Sequence, residues 1–302
     1  MNGVINILKP PMMNSSAVVA AVKRITGSAH VGHTGTLDPN AAGVLPIVIG
    51  RYTKLAEYFL ADEKEYIGEI LFGVETDSCD TEGNVTNTSS NIPTDDEILA
   101  ALPQFCGDIV QYPPTYSAIR INGKKAYELA RENKEVNIPP RDVHVDEIRL
   151  LHRTAPNRVT VSVKCSKGTY IRSLARDIGR ATGSAACLSV LVRTKCGNFP
   201  IEEAVTLEQL ESAQRQGTER ELFTDPNKAL CYIPEIVLPK HMEKRILCGN
   251  YIPTKWLDSM PKCDNTENLF RITVEGELLC LARLDTAPDG ESIIQPTKVI
   301  AE

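Results

Sequence analysis

The stretch from Gly32 to Pro46 limits the fold of this chain more than any other. Its sequence is Gly-His-Thr-Gly-Thr-Leu-Asp-Pro-Asn-Ala-Ala-Gly-Val-Leu-Pro, with three glycines and two prolines in fifteen residues. That density predicts a loop at its centre rather than a helix or a strand. Asp38 stands directly before a proline, which biases its backbone towards an extended conformation. A lone carboxylate on a stiff loop suits a positioned acid, base or nucleophile, and a turn aspartate that caps the next segment has the same pattern.

Apolar periodicity in the rest of the chain predicts both strands and helices. Strict alternation makes residues 159–165 the clearest strand, and an apolar stripe over 171–178 predicts a helix directly after it. Residues 75–97 are acidic and polar, so they are expected to form a surface loop. Further strands are expected at 3–8, 65–73, 269–274 and 277–282, and further helices at 16–25, 54–60, 126–132 and 201–213.

Charge is distributed unevenly along the 302 residues, whose net charge is −6. Residues 1–60 carry five Lys or Arg against two Asp or Glu, and residues 111–180 carry fourteen against seven. This asymmetry indicates a basic face on an acidic body, which phosphate binding requires. An acidic surplus that merely keeps the protein in solution would produce the same count.

Two basic patterns lie within the second block. Arg172, Arg176 and Arg180 are four residues apart, so they share one face of the predicted helix. Such a ridge could grip phosphates, hold a buried carboxylate or simply face solvent. Upstream, residues 111–141 combine lysines and arginines with three tyrosines, a composition that fits an RNA-contacting insertion or a solvated loop.

Several functional classes are disfavoured by what the sequence lacks. It contains no run of about 18 apolar residues, so no membrane span is expected. The nine cysteines are scattered without the spacing of a zinc site, as expected of reduced thiols. A phosphotransferase with Asp38 as nucleophile would need further acidic ligands, and residues 39–50 contain none.

Four separated motifs make the chain resemble the bacterial TruB-type tRNA pseudouridine-55 synthases. The resemblance runs from residue 3 to about 194, with a weaker match in the tail. Each motif alone is a weak pattern, but four in the same order make coincidence implausible. They are Gly-Val-Ile-Asn-Ile-Leu-Lys-Pro at 3–10, Gly-His-Thr-Gly-Thr-Leu-Asp-Pro at 32–39, Pro-Pro-Thr-Tyr-Ser-Ala at 113–118 and Lys-Gly-Thr-Tyr-Ile-Arg-Ser-Leu-Ala-Arg-Asp-Ile-Gly at 167–179.

The resemblance implies an α+β fold, a pseudouridine synthase core with a mixed, mainly antiparallel sheet, flanking helices and a central cleft. It implies a catalytic domain over residues 1–237, including a thumb-like RNA-binding insertion at about 113–145, and a small β-rich, PUA-like domain over 238–302. The implied reaction converts the uridine at position 55, in the T-loop of tRNA, to pseudouridine without a metal or other cofactor. The uridine must be flipped out of a folded loop into a pocket.

The resemblance also assigns roles to seven residues. Asp38 matches the catalytic aspartate, and whether it attacks C1′ or C6 or removes a sugar proton stays open. Arg172 matches its charge partner. Periodicity alone favours Tyr66 as a core residue, and only the resemblance assigns it to the site. The other matches are Tyr66 stacking on the flipped base, Tyr170 and Leu191 lining the uridine site, His33 entering the T-loop, and Lys9 supporting the catalytic loop or a phosphate.

The implied partner is the T-arm of tRNA, with no membrane and no obligatory protein partner. A monomer in the cytoplasm is expected. Two alternatives stay open. One is the related guide-RNA-dependent catalytic subunit, which generally lacks the thumb-like insertion, and the other is an RNA-folding chaperone that uses the same cleft without turnover.

Overall fold

A large sheet organises the first two hundred residues. The computed structural model describes residues 1–60, 63–117, 119–121, 123–126, 138–257, 259–263 and 268–300. The strands of this part are β1 (Gly3–Lys9), β2 (Val31–His33), β3 (Ala42–Ile49), β4 (Glu63–Phe72), β5 (Val74–Thr76), β6 (Val85–Thr88), β7 (Gly107–Gln111), β8 (Arg120–Ile121), β9 (Lys124–Lys125), β10 (Arg141–Ala155), β11 (Arg158–Ser166), β12 (Ala186–Cys196) and β13 (Phe199–Pro200).

The order of the large sheet is β1-β3-β12-β4-β11-β10-β7, with β2 paired to β3 and β13 paired to β12. Neighbouring strands along this order are antiparallel except β3 and β12, which are parallel. The expected mixed, mainly antiparallel sheet is therefore confirmed. Strand β4 lies at its centre and buries alternate residues, from Lys64 to Phe72, against the core, as the alternation in its sequence predicts.

The helices are short and lie between or beside these strands. They are α1 (Ser15–Thr26), α2 (Asp95–Ala101), α3 (Ile171–Ala181), α4 (Leu207–Gln216), α5 (Pro226–Ala229) and α6 (Glu243–Leu247). Helix α1 begins where the Asn14 side chain accepts a hydrogen bond from Ala17 N and ends at Gly27, whose φ is 65°. Both are ordinary helix-terminal signals, and they confirm the predicted helix.

The helix predicted at 54–60 is wrong. Gly50–Leu55 forms a 3₁₀ turn, and further turns follow it. Gly50 has a φ of 65°, and the Thr53 hydroxyl donates to the Gly50 carbonyl at 2.7 Å. This local side-chain bond supports a tight turn in place of an α-helix.

The prediction that residues 75–97 form a surface loop is wrong in part. The segment contains the hairpin β5–β6 and the start of α2, whose N-terminus has a complete capping box between Thr94 and Glu97. Its first residues are buried rather than solvated, although their side chains are polar; they include Glu75, Thr76 and Ser78. Glu75 and Ser78 have partners on α3, which are described below, and that is why a polar segment can be buried here.

Helix α3 packs on the inner face of the large sheet. A Cβ at Gly179 would lie 2.5 Å from the Ala186 Cβ, so the helix and β12 touch closely there. At the other end, a Cβ at Gly68 of β4 would contact the Ile171 side chain at 3.7 Å. The helix starts directly after β11 and its turn, and this connection places its first turn beside the Asp38 loop.

The last part of the chain forms a second sheet, of order β14-β16-β17-β18-β15. Its strands are β14 (Glu235–Val237), β15 (Ile252–Pro253), β16 (Leu269–Val274), β17 (Glu277–Thr286) and β18 (Ser292–Val299). The strands predicted at 269–274 and 277–282 are confirmed, and a tight turn joins them at Glu275 and Gly276, whose φ angles are 51° and 84°. The β-rich C-terminal domain expected from the sequence is thereby present.

The two sheets share an apolar core. Val44 and Val48 of β3 belong to the same buried cluster as Leu278 and Leu281 of β17. Because this cluster is continuous, the second sheet is packed onto the first rather than tethered to it by a linker.

One sequence prediction, the helix at 126–132, lies outside the described residues except for its first residue. Among the helices in the described ranges, none has both the length and the apolar character needed to cross a membrane.

Candidate active site

Asp38 and Arg172 meet although they are 134 positions apart in the sequence. Asp38 lies in the loop between β2 and β3, and Arg172 is the second residue of α3. The Arg172 Nε lies 2.9 Å from the Asp38 Oδ2, with the arginine side chain 6% exposed and the aspartate side chain 37% exposed. The Nε–H does not point at this oxygen as a hydrogen bond requires, so the contact is an ion pair. A carboxylate that is open to the cleft is thus held by a buried cation.

Arg172 has further partners that the sequence did not suggest. Its Nη1 lies 3.4 Å from the Asp80 Oδ2 and donates to the Ser78 carbonyl at 2.9 Å. Its Nη2 donates to the Tyr116 carbonyl at 3.0 Å. Cys79, between Ser78 and Asp80, has a φ of 59°, in the left-handed region that non-glycine residues seldom occupy. This turn aims both a carbonyl and a carboxylate at one guanidinium.

Asp80 is the functional candidate that sequence reasoning missed. It lies within the polar segment that was expected to be a surface loop, and its residue type and neighbours resemble those of an ordinary turn. The one local signal is Cys79, a nonpolar residue in a polar run, and it is buried. The role of Asp80 becomes visible only once α3 brings Arg172 against it.

The Asp38 loop is tied down by Lys9 and Ser15. The Lys9 ammonium is buried and donates to the carbonyls of Pro10, Met13 and Pro39 at 2.8, 2.6 and 3.0 Å. Burial lowers the pKa of Lys9 to about 8, although Asp38 acts in the opposite direction. Ser15 Oγ donates to the Leu37 carbonyl and accepts from Leu37 N, both at 3.0 Å. The structure therefore places Lys9 under the Asp38 loop.

Arg193 is a second buried cation under the same loop. It is 1% exposed and lies on β12. Its Nε donates to the Val44 carbonyl at 2.8 Å, and its Nη1 and Nη2 donate to the carbonyls of Thr36 and Gly35 at 3.4 and 3.3 Å. The approach needs a glycine at position 43, because a Cβ there would lie 2.2 Å from the Arg193 carbonyl oxygen. Sequence reasoning missed Arg193 because an arginine in an apolar strand resembles a residue on the exposed face.

Leu191 lines the cleft, whereas Tyr66 lies in the buried core beside the Asp38 loop and is not among the lining residues. The cleft is lined by Asp38, Asn40, Ala41, Asp80, Thr81, Arg172, Leu188, Ser189, Val190 and Leu191. Tyr66 is 8% exposed and belongs to the same apolar cluster as Leu37 and Ala41 of the Asp38 loop. Burial raises the pKa of Tyr66 to about 12, although the charge of Arg193 acts in the opposite direction. The phenol is therefore uncharged at neutral pH, and its ring is packed beside the loop.

Tyr170 is the residue before α3 and is half-buried. Its backbone is bracketed by Gln111, whose amide donates to the Tyr170 carbonyl at 3.0 Å and accepts from Tyr170 N at 2.7 Å. The Arg141 guanidinium lies over the ring, 5.5 Å from its centroid. Burial raises the pKa of the Tyr170 phenol, and both Asp38 and Arg172 are close enough to influence it. Tyr170 thus faces the same site as the ion pair.

His33 is the last residue of β2, at the edge of the site. Burial and then the charge of Arg193 lower the pKa of its imidazole, which keeps it neutral at neutral pH. Its Nδ1 is sealed from solvent and makes no hydrogen bond to a described residue. A neutral ring at the rim suits contact with a ligand better than proton transfer.

The arginine ridge of α3 is buried at Arg172 and Arg176, where it is not the solvated face that was one of its three interpretations, and exposed at Arg180. Arg172 and Arg176 are 5% and 9% exposed. Arg176 pairs with Asp177 at 2.8 Å, and Arg180 with Glu75, the Arg180 Nε donating at 3.0 Å. The ridge therefore holds carboxylates. Within the described residues, no three His, Cys, Asp or Glu side chains are grouped in a way that could hold a metal ion.

Two family models together match residues 23–242. Residues 23–171 match the model described as TruB family pseudouridylate synthase (N terminal domain). Residues 172–242 match the model described as tRNA pseudouridylate synthase B C-terminal domain. The chain belongs to the TruB family. The two matched segments meet between Ile171 and Arg172, so Asp38 and its charge partner come from different segments.

Relatives and solved structures agree with this assignment. The tRNA pseudouridine synthase B of Pelotomaculum thermopropionicum is 38% identical over 308 residues, covering 100% of this chain and 98% of the relative. That of Moorella thermoacetica is 37% identical and covers 99% of both chains. The crystal structure of a Cbf5-Nop10-Gar1 complex matches with a TM-score of 0.76 and 26% identity, covering 99% of this chain and 85% of that one. The family and fold predicted from the sequence are confirmed.

Proposed function

We propose that this enzyme converts the uridine at position 55, in the T-loop of tRNA, to pseudouridine. The observation that carries the proposal is the cleft in which Asp38 is paired with Arg172 beside Leu191. Membership of the TruB family and the names of the relatives, tRNA pseudouridine synthase B, support this reaction and this class of substrate.

The reaction is an isomerisation, so every atom of the substrate is retained. The bond between N1 and C1′ breaks, the uracil turns within the cleft, and a bond forms between C5 and C1′. C5 loses a proton and N1 gains one. Asp38 supplies the carboxylate, by attack on C1′ or C6 or by removal of a sugar proton. Arg172 places a permanent positive charge 2.9 Å from it and fixes its position.

The walls of the cleft suit a flipped pyrimidine. Tyr66 offers a rigid aromatic face on which the base stacks, a contact worth about 1–3 kcal/mol per base. Leu191 supplies apolar contact to the ring, and Tyr170 closes the side nearest α3. His33, neutral and at the rim, enters the space that the extruded nucleotide leaves in the T-loop.

Three further residues position the catalytic loop without touching the substrate. Lys9 and Ser15 hold the backbone on either side of Asp38, and Arg193 holds the carbonyls of Gly35 and Thr36. Arg193 is also close enough to Tyr66 for its charge to act on the pKa of the phenol, so it lies near both the stacking ring and the catalytic loop. Such support matters because displacement of a catalytic group by about 1 Å can cost about 10²-fold in rate.

The partners follow from the same arrangement. Residues of about 113–145 form the thumb-like insertion that holds the T-arm, within a catalytic domain over 1–237, and the domain over 238–302 is PUA-like. The enzyme is proposed to act as a monomer in the cytoplasm, without a cofactor or an obligatory protein partner. The Cbf5 structures contain partner proteins, so independence from a partner is part of the test.

The test uses the purified protein alone with an unmodified tRNA transcript. Pseudouridine is mapped by carbodiimide-dependent stops in primer extension. A stop at the T-loop uridine, without guide RNA or added protein, is expected. No stop under these conditions would defeat the proposal and favour a guide-dependent subunit.

Asp38→Asn separates catalysis from binding. The amide has nearly the shape of the carboxylate but cannot serve as a nucleophile or base. We expect this variant to bind the transcript and to form no measurable pseudouridine. Retained turnover in Asp38→Asn would show that the carboxylate is not the catalytic group.

A further inference from the structure

Lys64 is a buried cation that the site described so far does not use. It lies on β4, two residues before Tyr66 and on the same inward face. The residue is 8% exposed, and its ammonium is not among the polar atoms that are sealed from solvent. Among the described residues, it has no hydrogen-bonding or ion-pair partner.

The lack of an ion-pair partner at Lys64 is unusual, given the charged groups around it. Burial lowers its pKa, and the cations Arg193 and Lys167 act in the same direction, while Cys196 and Cys165 act in the opposite one. The adjacent Glu63 and Glu65 do not neutralise it, because they belong to the alternate positions that face the other side of the sheet. There they pair with other lysines; the contacts are Lys164 to Glu63 at 2.8 Å, Lys195 to Glu63 at 3.0 Å and Lys195 to Glu65 at 3.3 Å.

The side chain of Lys64 is largely desolvated, and this cost is not offset by an ion pair, although the ammonium keeps some contact with solvent. Lys64 therefore lacks a counter-ion within the described chain, in a place where other cations already repel it. An anionic ligand would supply the missing partner.

The position of Lys64 indicates which anion this is. Residues two apart on a strand are separated by about 7 Å and point the same way, so Lys64 lies next to the aromatic face of Tyr66. On the other side of Tyr66, Gly68 is covered by Ile171 of α3. The end of β4 that carries Lys64 is not covered by Ile171. It lies beside the turn between β11 and α3, which contains Lys167.

We propose that the Lys64 ammonium binds a backbone phosphate of the tRNA next to the uridine that stacks on Tyr66. This inference rests on the proposed function, because the phosphodiester is the anion that an RNA substrate brings beside its base. Lysine binds phosphate as a point charge. A contact of this kind carries no sequence information but fixes the register of the nucleotide against the catalytic loop.

The salt dependence of tRNA binding tests the proposal. Binding of an unmodified transcript is measured across a series of salt concentrations in an Asp38→Asn background, which leaves the RNA unconverted. Lys64→Met is expected to weaken binding and to reduce the slope of log Kd against log salt by about 0.7–0.9, the share of one phosphate contact. Lys64→Arg is expected to keep the slope. An unchanged slope in Lys64→Met overturns the proposal.

Lys195→Met is the matched control. It removes the same charge from the neighbouring strand but on the opposite face, where Lys195 pairs with Glu63 and Glu65. We expect no change in slope. An equal change in both variants would mean that net charge, not a phosphate contact at Lys64, sets the slope, and would also overturn the proposal.

A chemical substitution in the RNA makes the test independent of protein folding. A neutral methylphosphonate replaces each phosphate flanking the target uridine in turn. At one of the two positions the unsubstituted Lys64 protein should lose affinity, and Lys64→Met should show no further loss, as coupled partners require. Equal losses in both proteins overturn the proposal. Formation of pseudouridine by the wild-type enzyme is scored separately, so failure of the Lys64 contact is distinguished from failure of the proposed function.

Discussion

The Arg172 guanidinium contacts two carboxylates. Its Nε lies 2.9 Å from the Asp38 Oδ2, and its Nη1 lies 3.4 Å from the Asp80 Oδ2. The Asp80 side chain is 21% exposed and the Asp38 side chain 37% exposed. The more buried carboxylate orients the arginine, and the more open one faces the cleft. In this arrangement Asp80 acts on catalysis through Arg172 rather than through the substrate.

Asp80→Asn should therefore lower kcat much more than it changes KM. The amide retains the shape of Asp80 but loses the charge that holds Arg172, and a misplaced Arg172 leaves Asp38 misplaced. We expect a fall in kcat of about 10²-fold, measured with tRNA transcripts in single-turnover and steady-state assays. Asp77→Asn is the control, because the Asp77 carboxylate bonds to Asn84 in the same segment. A rise in KM with unchanged kcat would instead assign Asp80 to binding.

Lys9 predicts how activity depends on pH. Burial lowers its pKa to about 8, and above this pH the neutral amine has two protons for its three carbonyl acceptors. Activity should therefore fall as pH rises through about 8. The ordinary pKa is 10.5, so between pH 8 and 10.5 the unfolded chain binds more protons than the folded one. Over this window the contribution of Lys9 to the free energy of unfolding rises with pH.

Activity is expected to fall as pH rises, while the contribution of Lys9 to stability rises. This difference distinguishes titration of Lys9 from a loss of activity caused by unfolding. The rate profile from pH 6.5 to 9.5 is measured beside thermal unfolding at the same pH values. In Lys9→Arg the charge persists throughout, so the fall near pH 8 should disappear even if the overall rate is lower. A fall that persists in Lys9→Arg would assign the titration to another group.

Among single residues, the sequence could predict those that lie in the family motifs. It could not predict those whose role depends on contacts made inside the folded protein. Asp38 and Arg172 lie in such motifs, and the structure brings them together. Asp80 and Arg193 have no local pattern that distinguishes them from surface residues. Their roles depend on contacts with α3 and with the Asp38 loop, which form only in the folded chain.

Among the elements, the turn between β1 and α1 holds a non-glycine residue in the left-handed region. Met12 is 75% exposed and has a φ of 65°. A left-handed conformation costs a non-glycine residue about 1–2 kcal/mol. The exposed Met12 side chain gains little packing that would offset this cost. The turn is nevertheless fixed, because Lys9 binds the carbonyls of Pro10 and Met13 on either side.

Met12→Gly should therefore stabilise the protein. Glycine removes the steric cost but adds entropy to the unfolded chain, so the free energy of unfolding should rise by about 0.5–1 kcal/mol. Urea unfolding measures the change. Met13→Gly should lower the stability, since Met13 packs against the cluster that contains Ile5 and Val18. A loss of stability in Met12→Gly would mean that its side chain makes a favourable contact.

Elements with strong local signals were predicted well, and those set by their neighbours were not. Helix α1 has its caps in the sequence, and β4 has its alternation, so both were expected. The 3₁₀ turn at Gly50–Leu55 replaced a predicted helix because a threonine side chain bonds locally. The hairpin β5–β6 was missed because its buried Glu75 pairs with Arg180 of α3. That arginine lies far away in the sequence, so the local sequence does not show the pairing.

For the molecule as a whole, the main question is whether its two sheets behave as one cooperative unit. The resemblance predicted a catalytic and a C-terminal domain, while β3 and β17 contribute to one buried cluster. A shared core of this kind favours a single unfolding transition, although the backbone hydrogen bonds divide into two sheets. Composition could not predict this, because the side chains that join the sheets are ordinary core residues of each.

Leu281→Ala tests the coupling. Leu281 is fully buried in the shared cluster, so its truncation should lower the free energy of unfolding by about 2–5 kcal/mol. Trp256, the one tryptophan of the chain, reports on the C-terminal part by fluorescence, and far-UV circular dichroism reports on both sheets. Both signals should shift together in urea, because the damaged core belongs to both. Leu284→Ala, at an exposed position of the same strand, should change stability by no more than about 0.5 kcal/mol. If the fluorescence transition of Leu281→Ala moved to lower urea while most of the dichroism did not, the sheets would be independent folding units and the C-terminal one could be removed without unfolding the cleft.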